Sequence, residues 1–142
     1  VRKPDFKGNE ILQDALNNVD VLIGHNIKFD ITWLRDCGFV YNNHLYDTMV
    51  AEYILASSRR WSLGLQAVAE RYGAIKKKSL VDGYLKDGKT FYDIPYDIIE
   101  EYGIADVEAT EQVALKQLEA FGTTFEELFG DEESIADTAF VA

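Results

Sequence analysis

The sequence predicts an α/β fold that is mostly helical and poor in strands. Three observations predict it. One short run, Val19–Gly24 (VDVLIG), is dense in β-branched and aliphatic residues and reads as a strand buried on both faces. Several longer segments repeat their apolar residues with the helical period. A composition of 47% hydrophobic and 27% charged residues over 142 residues suits one ordinary globular domain with a single core.

The elements follow in order. Gly8 to Asn18 reads as a short helix that Asn9 can cap, with Ile11, Leu12, Ala15 and Leu16 as its apolar face. After the Val19–Gly24 strand, Ile27, Ile31 and Leu34, with Trp33 alongside, take up helical spacing until Gly38 stops the helix. Leu45–Tyr46 is a brief extended piece, and Asp47 caps a helix that runs through Ala56. Ser62 is expected to cap a further helix ending at Gly73, and residues 74–94 read as irregular. Pro95 stands where a first helical turn favours proline, and a long helix continues to about Phe121 with Ile98, Tyr102, Ala105, Ala109 and Val113 on one stripe. Residues 123–142 read as an acidic tail with one short helix and a frayed end.

Bulk chemistry narrows the function classes. No apolar run approaches the roughly 18–20 residues that span a bilayer. The single cysteine, Cys37, forms no internal disulfide and fits a reducing cytoplasm, where it reads as a small buried hydrophobe. A net charge of −11 opposes simple nucleic-acid binding, because phosphates are met with Lys and Arg. Its distribution softens that objection: seven acids and no basic residue follow Lys116, which leaves −4 for the first 116 residues.

Two pairs of residues carry candidate chemistry. Asn26 and Asp30 follow the strand across a strand–turn–helix junction, the carboxyl end at which α/β proteins place their sites. The same two residues also read as a helix cap and an acid favoured by the positive helix start. Tyr102 and Asp106 lie one helical turn apart, so they share a face close to the apolar stripe. A carboxylate turned toward a core is costly unless paired or bound to metal; Asp106 reads either as such a group or as a solvated boundary acid. Arg59-Arg60-Trp61 and Lys76–Lys78 are solvated turns by composition and modest candidates for contacts to a single strand.

Taken together, VLIGHNIKFDITWLRDCGF, YDTMVAEYIL, SLGLQAVAERYG and DIPYDIIEEYGIADVEAT resemble the DEDD-superfamily (DEDDy, DnaQ-like) 3′–5′ exonuclease domain of bacteriophage-type family A DNA polymerases, over about residues 9–121. Asn26–Asp30 is similar to that family's N-x-x-x-D motif, and Tyr102–Asp106 to the tyrosine form of its last motif, Y-x-x-x-D. The histidine form would place His where Glu101 stands, so His25 is not that residue and reads instead as a neighbour of the site.

The resemblance implies an RNase H-like fold in residues 1–122 and hydrolysis at a single-stranded DNA 3′ end. It implies two divalent cations, Mg²⁺ or Mn²⁺, with Asp30 and Asp106 as ligands and Tyr102 orienting the attacking water. Asn26, Phe29 and His25 would then lie against the terminal nucleotide. It further implies a polymerase domain or subunit as partner, in the cytoplasm of the host cell if the chain is phage-encoded. The family's first motif, a D-x-E strand, does not precede Asp30. The expectation is therefore an N-terminally truncated or split domain whose D-x-E segment lies upstream or on another chain, leaving the Val19–Gly24 strand with an unpaired edge. Two other readings stay open: an inactive exonuclease-like module that binds a polymerase or single-stranded DNA, and a ribonuclease D-type enzyme acting on RNA.

Overall fold

The computed structural model describes residues 9–74, 80–130 and 139–141. The order is α1 (Asn9–Asn17), β1 (Val21–Gly24), α2 (Ile27–Asp36), β2 (His44–Asp47), α3 (Thr48–Ala56), α4 (Leu65–Arg71), α5 (Leu80–Lys86), a 3-10 turn at Phe91–Asp93, α6 (Tyr96–Phe121), α7 (Phe125–Phe129) and β3 (Ala139–Val141). The expected α/β class holds: helices dominate, and a short parallel sheet in the order β2-β1-β3 lies among them.

β1 is the centre of the fold because its residues can be buried on both faces. Val21, Leu22 and Ile23 are each 1% exposed or less. One face joins Leu22 to Leu16, Ile27, Ile31, Phe39 and Tyr41. The other joins Val21 and Ile23 to Tyr46, Ala51, Ala114, Leu118 and Phe125. Helices therefore cover both sides of the strand, the arrangement that parallel strands require. α6 is the principal wall: it packs on β1, α3, α4 and α5, and its Ala109 and Val113 form a further cluster with Val68, Ala69 and Ala74.

Polar groups in the core are matched one to one. Gln117 of α6 donates to the Thr48 carbonyl at 2.8 Å and accepts from the Tyr46 hydroxyl at 3.2 Å. Glu52 of α3, fully buried, accepts from Arg71 Nε at 3.0 Å and from the Tyr72 hydroxyl at 2.6 Å. These bonds tie α3 to α6 and to the end of α4, and burial with the Glu52 charge pushes the Tyr72 hydroxyl well above its ordinary range.

Several expectations are corrected. The sheet edge beside β1 is not left open: β3 pairs with it in parallel, with Leu22 opposite Ala139, Ile23 opposite Phe140 and Gly24 opposite Val141. The stretch read as a frayed tail thus contributes a strand, and Phe125 of α7 is buried in the core. The helix after Trp61 begins at Leu65 with Gly64 in the cap position, so Ser62 does not cap it. Residues 80–86, read as irregular, form α5, with Val81 fully buried. On α1 only Leu16 packs inward, while Ile11 is 74% exposed. Lys76–Lys78 lie outside the described residues.

Candidate active site

The β1–α2 junction brings most of the sequence-selected residues together. β1 ends at Gly24, His25 and Asn26 make the turn, and Asp30 lies in the first turn of α2. Asn26 adopts φ 60° and ψ 49°, the left-handed region in which Asn is more tolerated than most side chains. Its side chain makes no cap bond, so it is not the helix cap that its residue type suggests. Asp47 takes that role from the end of β2. Its Oδ1 accepts the Asn26 N–H at 2.9 Å, and its Oδ2 accepts the Ile27 N–H at 3.2 Å. The same Oδ1 accepts the Met49 N–H at 2.9 Å and caps α3, as the sequence predicts.

His25 is a strut. Its Nε2 faces the Leu63 carbonyl at 2.6 Å, which only a ring N–H can satisfy, and its Nδ1 lies 2.8 Å from the Thr48 hydroxyl. The Leu63 carbonyl thus places a proton on Nε2, while the Thr48 hydroxyl also donates to the Gly24 carbonyl at 3.3 Å. Burial pulls the imidazole below its ordinary range against the opposing Leu63 hydrogen bond and the charges of Asp47 and Glu52. Both ring nitrogens are thereby engaged inside the protein, joining the turn to α3 and to the loop before α4.

Asp30 is half-buried, and loss of solvent pushes its carboxyl above the usual range, with the Asp47 charge adding to the effect. Phe29, beside it, is 70% exposed and Trp33 46% exposed, so the outer face of α2 presents aromatic surface next to the acid. Tyr102 and Asp106 sit half-buried in the middle of α6. Asp106 Oδ1 is sheltered from solvent, and the Asp106 carbonyl accepts from the Thr110 hydroxyl at 2.7 Å.

The fit of a divalent cation follows from this geometry. Asp30 and Asp106 are oxygen donors of the kind Mg²⁺ and Mn²⁺ prefer, and a cation would relieve the cost of burying the Asp30 carboxylate. Among the described residues, however, no three His, Cys, Asp or Glu side chains gather as a ligand cluster.

Two other features surround this region. Arg59 and Arg71 place their guanidinium carbons 5.2 Å and 5.0 Å from the Trp61 ring centroid. An apolar groove of about 600 Å³, lined by Leu45, Val50, Ile54, Phe121, Leu128 and Phe129 among others, holds neither Asp30 nor Asp106. Among the described residues no helix is long and apolar enough to cross a membrane.

An acid-bearing helix start at the carboxyl end of a doubly covered parallel strand is an α/β arrangement, and that end of the sheet is where such proteins generally carry their sites. The particular family is given by comparison: a 3′–5′ exonuclease family model matches residues 7–119, more than half of the chain, and the chain belongs to that family. Its two motif pairs, Asn26–Asp30 and Tyr102–Asp106, both fall within the matched region. Comparison with curated proteins and with solved structures gave no significant match.

The sequence did not point to Asp47 as a site residue. Its partners Asn26 and Ile27 lie about 20 residues earlier, and only its local role as cap of α3 has a sequence signature.

Proposed function

We propose that this chain is the larger part of a proofreading-type 3′–5′ exonuclease that removes nucleotides from the 3′ end of single-stranded DNA in the cytoplasm, in company with a polymerase domain or subunit. Family membership over residues 7–119, with Asn26–Asp30 held at the carboxyl end of the central strand, carries this reading. Asp30 and Asp106 would each hold one of two divalent cations, which when bound supply a hydroxide nucleophile at neutral pH and stabilise the departing 3′ oxygen. Tyr102, one turn before Asp106, orients the attacking water through its hydroxyl. Asn26 contacts the terminal nucleotide, and the exposed Phe29 offers its ring for stacking. His25 holds the turn in shape from behind. The remaining carboxylates come from a D-x-E strand, which is not found before Asp30 in these residues.

The test is release of nucleotides from a 3′-labelled single strand in Mg²⁺ or Mn²⁺. Residues 1–142 alone are expected to release little or none. A supplied D-x-E segment is expected to restore release, and Asp106→Ala to abolish the restored activity by about 10³-fold or more. Continued inactivity with that segment present would sink the split-enzyme reading. A second reading is a non-hydrolysing module that binds single-stranded DNA. Binding without hydrolysis in the completed assay selects it.

A further inference from the structure

Among the described residues, Asp47 is a carboxylate that ties two chain segments of this region together through the backbone. It closes β2 and opens α3, yet two of the three N–H groups it accepts belong to the start of α2. The Asn26 and Ile27 N–H groups are among those that a helix start leaves without intrahelical partners. A side chain immediately before the first turn caps the N–H groups of the second and third helical residues, which leaves those of Asn26 and Ile27 to other acceptors. Here a carboxylate about 20 residues further along the chain accepts both. The parallel register places Asp47 directly opposite Gly24, the last residue of β1, which sets its carboxylate beside the turn.

We propose that Asp47 is a positioning residue for Asp30: its carboxylate fixes the left-handed turn at Asn26 and the first turn of α2, and so sets where the Asp30 side chain stands. A neutral cap within α2 could satisfy one N–H. Asp47 satisfies two with separate oxygens and leaves the helix start no freedom to rotate about either bond. Its negative charge also faces the positive end of α2, which strengthens the clamp. The link from this geometry to cation binding rests on the exonuclease reading; the clamp itself does not.

The experiment compares the 142-residue wild-type chain with Asp47→Ala and Asp47→Asn by amide hydrogen exchange and by Mn²⁺ broadening in NMR spectra. In Asp47→Ala, exchange at Asn26 and Ile27 is expected to accelerate by about tenfold or more, while Val113 in α6 keeps its protection. Asp47→Asn keeps one accepting oxygen, so Asn26 and Met49 are expected to stay protected while Ile27 alone loosens. It also guards against Asp47→Ala failing to fold. Mn²⁺ affinity read at the Asp30 amide is expected to fall about tenfold in Asp47→Ala and to recover in Asp47→Asn, a pattern that a loss of global stability would not give. Unchanged protection of Asn26 and Ile27 in Asp47→Ala overturns the proposal. So does accelerated exchange at those amides with Mn²⁺ affinity at Asp30 unaltered. If wild type shows no broadening at Asp30 or Asp106 even with the D-x-E segment supplied, the exonuclease reading fails, and the exchange data still decide the clamp.

Discussion

Asp30 and His25 stand five residues apart, and burial moves their titrations in opposite senses with respect to stability. For Asp30 the folded carboxyl is raised, so the ionised form costs stability; that cost is present at neutral pH and disappears as pH falls through the folded value toward the ordinary 3.8. Asp30→Asn is accordingly expected to raise the melting temperature at pH 7, with the gain shrinking as the pH is lowered toward 4. Thermal melts of both proteins across that range check it, and a variant less stable than wild type at pH 7 contradicts it. For His25 the folded imidazole is lowered, so its contribution is complete above the ordinary value of 6.5 and is lost as the pH falls below it. His25→Gln is expected to flatten the decline in stability between pH 7 and 5.5 and to lower stability at pH 7 by about 1 kcal/mol through the altered bonds to Leu63 and Thr48. Denaturant titrations at the two pH values measure both effects. The placement of Asp30 in the first turn of α2, just after the β1 turn, was legible from the sequence. The conformation of Asn26 was not, because its backbone N–H is held by a carboxylate about 20 residues away that no local signal reveals.

Among the elements, α2, α3 and α6 were legible because each carries a local signal: the strand–glycine junction, the Asp47 cap and the Pro95 start. α5 and β3 lacked one. α5 is seven residues long with Val81 as its only buried side chain, and β3 is three residues whose pairing with β1 depends on a contact more than 100 residues away. The union of α3 with α4 is equally nonlocal, since Glu52 meets Arg71 and Tyr72 across about 20 residues. Glu52→Ala is expected to cost about 2–4 kcal/mol, because it strands the Tyr72 hydroxyl and the Arg71 charge together. Arg71→Ala should cost more, about 3–5 kcal/mol, since it leaves the fully buried Glu52 carboxylate without its cation, whereas the Arg71 left behind by Glu52→Ala is 26% exposed and partly solvated. Equal losses from the two variants in chemical denaturation would contradict that ordering. β3 invites a different measurement. It covers the edge of the most apolar strand in the molecule, and an uncovered edge of that kind pairs with other chains. Removal of residues 139–142 is therefore expected to turn a monomer into dimers or larger species in light scattering. A truncated chain that stays monomeric would show that the β1 edge is protected by something other than β3.

At the scale of the whole molecule, charge opposes the ligand that the family membership suggests. The chain carries 25 acidic against 14 basic residues, so its field repels a polyanion at long range. Lys28 stands between Asn26 and Asp30 in the first turn of α2, while Arg59 and Arg71 lie against Trp61 and Arg71 is already committed to Glu52. A protein that neutralises many phosphates with Lys and Arg shows affinity falling steeply with salt, because each contact releases a counterion. On the proposed function the attraction would come from divalent cations held at the carboxylates and from stacking on exposed aromatic rings such as Phe29. Binding of a short single strand is therefore expected to be at least about tenfold tighter in Mn²⁺ than in EDTA at matched ionic strength, with a shallow dependence on monovalent salt equivalent to only one or two phosphate contacts. Fluorescence anisotropy with a 3′-labelled oligonucleotide measures both quantities. Asp30→Asn should remove most of the Mn²⁺ dependence, whereas Phe29→Ala should weaken binding in Mn²⁺ and in EDTA alike, since stacking needs no cation. A steep salt slope that persists in EDTA would mean that a basic surface binds the strand. The site at the end of β1 would then not be where the strand is held.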